Sequence, residues 1–163
     1  TGEGAALPSP ITPHPYAAPF EELREASDAY LAQCGFRPRV FLANLGHVAT
    51  HTARAGFAKN FFEAGGFEVL ANNGFKTADE AAAAMAESGA SIAVICSSDE
   101  MYGQMAEETA RALRSAGARS VVLAGNPGEN EERYRAAGID RFIFIKCDVL
   151  GVLRELAQEE GVL

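Results

Sequence analysis

Two of the three histidines, His47 and His51, stand four residues apart in Gly46-His47-Val48-Ala49-Thr50-His51, directly after the apolar run Val40 to Leu45. Imidazole is the usual acid, base or metal ligand near neutral pH, so a pair at the mouth of a strand invites a functional reading. The plainer reading makes both exposed loop residues, with Thr50 or Thr52 capping the helix that follows. A second cluster, Ser97-Ser98-Asp99-Glu100, follows another apolar run and ends on Cys96 at its near side. Cys96 could serve as a nucleophile activated by His51, or as an inert small hydrophobe within a strand. Ser97-x-x-Glu100 has capping-box spacing, which accounts for these residues without chemistry. Gly125-Asn126-Pro127-Gly128 is a turn signal with room for a ligand, and Lys146 precedes Asp148, the expected cap of the last helix.

Several chemistries fail on spacing. The loop with Gly46 lacks both GxGxxG and GxxxxGK[ST], so dinucleotide and nucleotide-phosphate sites are not indicated. A phosphoacceptor receiver would use Asp99 and Lys146, but it also needs an acidic pair after the first strand to hold a divalent cation, and Asn44, Leu45 and Gly46 stand there instead. Cys34, Cys96 and Cys147 are an odd, scattered set. They suggest neither a disulfide framework nor a zinc site, in keeping with a reducing cytoplasm.

What must position these groups is an alternation of β-type and helical segments, the pattern of parallel strands joined by crossover helices. Strands are expected over 39–45, 67–71, 91–96, 120–124 and 141–145, and helices over 52–64, 78–88, 98–116, 129–137 and 148–159. The runs VFLANL, IAVIC and VVLA are almost wholly apolar, as for strands covered on both faces. The expected fold is α/β: a doubly wound, five-stranded parallel sheet of order 2-1-3-4-5, flavodoxin-like or Rossmann-like. Its ligand crevice would lie at the carboxyl ends of the first and third strands. Six of the seven prolines fall within the first 38 residues, so residues 1–36 read as a linker arm followed by a short helix carrying Phe20, Leu23, Ser27, Tyr30 and Leu31. Residues 37–163 read as the globular domain. The first residue is Thr1 rather than Met, and TGEGAALPSP has the look of a cut or disordered lead-in within a longer protein.

Net charge is -8, with 22 acidic against 14 basic side chains. A polyanion would meet repulsion rather than a basic footprint, so nucleic acid is a poor partner. No apolar run approaches the ~18 residues needed to span a bilayer, and no charged-then-apolar signal segment opens the chain.

The stretch RPRVFLANLGHVATHTARAGFAKNFFEAGGFEV, with APFEELREASDAY ahead of it, resembles the C-terminal cobalamin-binding-type domain of methylmalonyl-CoA mutase, and more closely that of the small, non-catalytic subunits of the heterodimeric bacterial enzymes. The resemblance runs over about residues 16 to 163. Its most specific segment runs from Gly46 through His51 to Arg54, followed by Phe57, Asn60 and Gly65-Gly66. It implies a role in a radical isomerase that interconverts methylmalonyl-CoA and succinyl-CoA, with adenosylcobalamin supplying the hard chemistry. In the family a TIM barrel precedes this domain, and the proline-rich opening looks like the linker between them.

Cobalamin-binding members carry Asp-x-His-x-x-Gly after the first strand, and the His takes the lower cobalt position. Placing His51 at that His puts Ala49 where the orienting Asp belongs and Arg54 where the Gly belongs. Ser97-Ser98-Asp99 stands where Ser-x-Leu is expected, and Gly125-Asn126 where Gly-Gly is expected. Three departures at one pocket imply a degenerate site, its rim formed by Gly46, His47, His51, Arg54, Ser97, Asp99 and Gly125, that binds no cobalamin and no metal. Adenosylcobalamin is then expected in the large catalytic subunit, and the partners are that subunit and the N-terminal barrel of the same chain. The rival expectation keeps cobalt on His51 or His47. Arg54 and Asp99, flanking the crevice from opposite loops, could form an ion pair that closes it.

Overall fold

Every long apolar run becomes a buried strand in the computed structural model, which describes residues 17–35, 37–144 and 147–162. The proline-rich segment 1–16, Lys146 and the expected last strand residue, Ile145, lie outside the described residues. Helix α1 spans Ala17–Cys34, followed by β1 (Arg39–Asn44), α2 (Val48–Glu63), β2 (Glu68–Leu70), α3 (Ala78–Ser88) and β3 (Ile92–Cys96). Then come α4 (Asp99–Ser115), β4 (Ser120–Ala124), α5 (Glu131–Ala137), β5 (Arg141–Ile143) and α6 (Val149–Glu159). All pairings are parallel and the strand order is β2-β1-β3-β4-β5, the expected 2-1-3-4-5 arrangement. The order turns back between β1 and β3, so their carboxyl ends border the crevice.

Strand periodicity divides the core. Phe41, Ala43 and Ile95 point to the face covered by α3, α4 and α5, whereas Val40, Leu42 and Val94 point to the face covered by α1, α2 and α6. Both faces of the central strands are therefore dry, which explains their lack of polar alternation. Helix α1 docks on the second face. Leu23 is buried there, Ser27 donates to the Gly66 carbonyl, and Arg154 of α6 pairs with Glu22 at 3.7 Å. Of the expected apolar face, Phe20 and Tyr30 are half-buried and Leu31 lies on the exposed side. No helix among the described residues is long and apolar enough to cross a membrane.

Two helix starts differ from the sequence expectation. Helix α2 begins at Val48 rather than near Thr52, because Gly46 adopts φ +82° and reverses the chain immediately after Leu45. The His47 carbonyl then accepts from the amides of Thr50 (2.9 Å) and His51 (3.3 Å). Neither threonine caps the helix; Thr52 Oγ1 donates back to the Val48 carbonyl. At α4 the cap is Ser98, whose Oγ accepts from the Met101 amide at 3.2 Å, one residue later than the Ser97 box. Ser97 is otherwise engaged: its hydroxyl donates to the Leu45 carbonyl at 2.8 Å, joining the ends of β1 and β3.

Candidate functional site

The carboxyl end of the sheet collects Arg54, Ser97, Asp99, Tyr102 and Gly125. Arg54 lies on α2, and its Nη1 donates to Asp99 Oδ1 at 2.8 Å and to the Ser97 carbonyl at 3.1 Å. The expected ion pair across the crevice is thus present. Its guanidinium also sits over the Tyr102 ring, 5.3 Å from the centroid, a cation–π contact. Burial alone would lower the Arg54 pKa, but the hydrogen bond to Asp99 and the Tyr102 contact more than offset it, so the net direction is upward. Gly125 is buried at φ +148°, and a Cβ placed there would stand 3.1 Å from Arg54 Nη1.

Tyr102 is the hub beneath this group. Its buried hydroxyl accepts from the Ser97 amide at 2.9 Å and lies 2.7 Å from the Ala124 carbonyl and 3.1 Å from the Ile95 carbonyl. One phenol therefore ties the ends of β3 and β4 and supports Arg54. Burial pushes its pKa up, keeping it a neutral donor. Sequence reasoning passed over Tyr102 because a tyrosine one turn into an amphipathic helix reads as ordinary core; its only signal was its place just after the strand-three loop.

The histidines do not join this cluster. His47 is exposed at the N-cap of α2, with no side-chain capping bond. His51 is only 3% exposed, and its ring packs against the segment after β2. A Cβ at Gly74 would fall 2.6 Å from His51 Cε1 and 2.7 Å from the Gly46 carbonyl oxygen, so only glycine fits there. His51 Nδ1 has no hydrogen-bond partner, and Ala49, two residues earlier, is exposed. The segment facing His51 is pinned by Asn72, whose Nδ2 donates to the Leu42 carbonyl at 2.7 Å and whose Oδ1 accepts from Asn44 Nδ2 at 3.2 Å and from the Gly74 amide at 3.0 Å. Asn44 and Asn72 escaped the sequence reading because their partnership crosses two strands.

Cys96 is fully buried, and burial pushes its thiol pKa strongly up, so it is the inert strand cysteine rather than a nucleophile. Among the described residues no group of three or more His, Cys, Asp or Glu is placed to hold a metal ion. Beside the Arg54–Asp99 pair, toward β4 and β5, a cavity of about 590 Å³ remains, lined by Ala53, Arg54, Phe57, Gly125, Asn126 and Phe144 among others. The ion pair sits over the ends of β3 and β4, beside this cavity.

No family model matches the chain. Among curated proteins, the methylmalonyl-CoA mutase small subunit of Streptomyces virginiae is 48% identical over 88% of this chain and 22% of its own length. The probable methylmalonyl-CoA mutase small subunit of Mycobacterium tuberculosis is 39% identical over 98% of this chain and 26% of its own length. That of Porphyromonas gingivalis is 34% identical over 90% of this chain and 22% of its own length. The chain thus spans about a quarter of the length of these relatives. Among solved structures, a LuxR-family DNA-binding response regulator from Staphylococcus aureus superposes with a TM-score of 0.47 at 13% identity, over 74% of this chain and 97% of that one, too loose a likeness to bear on function. Over nearly all of its length, this chain is homologous to a segment of methylmalonyl-CoA mutase small subunits.

Proposed function

We propose that this chain is the cobalamin-type domain of a methylmalonyl-CoA mutase small subunit that retains the fold, binds no cobalamin, and serves assembly. On this reading it is buried against the N-terminal barrel of its own longer chain and against a large catalytic subunit. That cytoplasmic partner holds adenosylcobalamin and interconverts methylmalonyl-CoA and succinyl-CoA.

The observation that carries this reading is the placement of His51. A cobalt ligand must present a free ring nitrogen outward and have its other nitrogen held by an acceptor. In His51 the second condition fails: Nδ1 packs beside Gly74 without a partner, and alanine stands at position 49. Loss of the orienting carboxylate alone weakens a metal site by ~10 to 100-fold. Arg54 adds bulk and charge where cofactor-binding relatives have glycine, and separating it from Asp99 would leave a half-buried guanidinium without its mate. The residues present therefore do not fit the cofactor.

The test is co-purification of the longer small subunit with its large partner, followed by cobalamin and isomerase assays on each. Cobalamin and activity are expected to follow the large subunit, and hydroxocobalamin titrated into this chain should give no saturating spectral change. A shift that saturates at one equivalent and disappears on His51→Ala would falsify the reading.

A further inference from the structure

We infer that the cavity between α2 and the carboxyl ends of β4 and β5 is a binding site for an organic monocarboxylate with a planar or branched apolar body. This goes beyond the architectural role and does not depend on it. Size and lining come first. At about 590 Å³ the cavity falls within the range of small-molecule sites. Its apolar lining comes from Ala53, Phe57, Ala124, Ile143 and Phe144.

Its polar character is one-sided. The backbone carbonyls of the lining strands are already used: Ala124 O lies 2.7 Å from the Tyr102 hydroxyl, Ile143 O accepts from the Gly125 amide at 2.8 Å, and Phe144 O accepts from the Cys147 amide at 3.0 Å. Asn126 Oδ1 accepts from the Gly128 amide at 3.0 Å, which leaves the Asn126 amide nitrogen as a donor. Arg54 commits Nη1 to Asp99 and Ser97 and is also bonded to Tyr102, which leaves part of its five-donor fork for a ligand. The cavity therefore offers the Arg54 fork and the Asn126 amide as donors, while each of these carbonyls already has a partner. A ligand that complements it is apolar in the body and acceptor-only at the head. A carboxylate meets this, because two guanidinium N–H groups match its two oxygens. Arg54 is also pre-positioned, since Asp99 and the Tyr102 ring hold it in place.

The experiment titrates the 163-residue chain with 1-naphthoate by calorimetry and maps amide shifts by nuclear magnetic resonance. Saturation at one equivalent is expected, with shifts confined to Ala53 through Phe57 and to Gly125 and Asn126. Arg54→Gln should weaken 1-naphthoate about ten-fold or more, the effect of losing a charge-assisted pair, and change the neutral 1-naphthalenemethanol by less than about two-fold. Ala53→Trp, at an exposed position that tolerates bulk, should block both probes while the chain melts cooperatively. No saturable binding, shifts elsewhere, equal loss of both probes in Arg54→Gln, or binding that survives Ala53→Trp would each overturn the inference. Hydroxocobalamin is titrated separately, so failure of the proposed cofactor loss reads out independently of the naphthoate result.

Discussion

Replacing Tyr102 with phenylalanine removes one oxygen and leaves the ring, so the cation–π contact with Arg54 persists. What is lost is the junction of β3 and β4. The Ser97 amide, on a fully buried residue, loses its acceptor, and the Ala124 carbonyl loses a donor at 2.7 Å. An unsatisfied buried polar group costs ~1 to 3 kcal/mol, and the phenol carries a single proton, so only one of its two carbonyl contacts is a full bond at any moment. The sum is about 2 kcal/mol, which for a chain of this size lowers the melting temperature by about 4 to 8 °C. The assay is urea unfolding followed by circular dichroism, with an unchanged denaturant slope as the condition for reading the shift as stability. Tyr134→Phe is the internal control: its ring is equally buried, at 3% exposure, but its hydroxyl makes no hydrogen bond among the described residues. A Tyr102→Phe cost below about 0.5 kcal/mol, or equal to that of Tyr134→Phe, would refute the hub role.

Three further outcomes follow from named contacts. Gly74→Ala should cost more than about 2 kcal/mol, since φ is +114° and the new Cβ meets both His51 and the Gly46 carbonyl; His51→Ala in the same chain should recover only part of the loss, as measured by chemical unfolding. Leu23→Ala should cost ~2 to 4 kcal/mol in the same measurement, because its side chain is 1% exposed against the α2 and α6 face; a near-neutral result would mean that α1 is not docked in solution. Glu159 is held below its ordinary value of 4.5: burial raises it, but its bonds to Arg141 and Ser120 prevail. Its contribution is therefore present above that value and lost as pH falls through the lower folded value, so Glu159→Gln should flatten the acid limb of a stability–pH profile, and high salt should shrink the difference.

Much of this protein was legible in the chain alone, wherever local chemistry decides. The runs VFLANL, IAVIC and VVLA could only be strands covered on both faces, and their alternation with helical segments demanded parallel pairing. Charges on residues 54 and 99, near the starts of two helices that such a sheet brings together, made their ion pair predictable. Local rules failed where a long-range contact claimed a group first. Ser97 turns its hydroxyl to the Leu45 carbonyl, far away in sequence, and the cap of α4 falls to Ser98. Helix α2 could start early because Leu45 bridges to Phe75 and leaves Gly46 to make the turn. No helical pattern reveals which way a histidine on the first turns of α2 faces; that was decided by the close approach of Gly74, a backbone contact that sequence spacing does not encode. The cavity beside Arg54 likewise arises from how far apart α2 and the ends of β4 and β5 are held, a distance set by packing across the whole sheet rather than by any one of its residues.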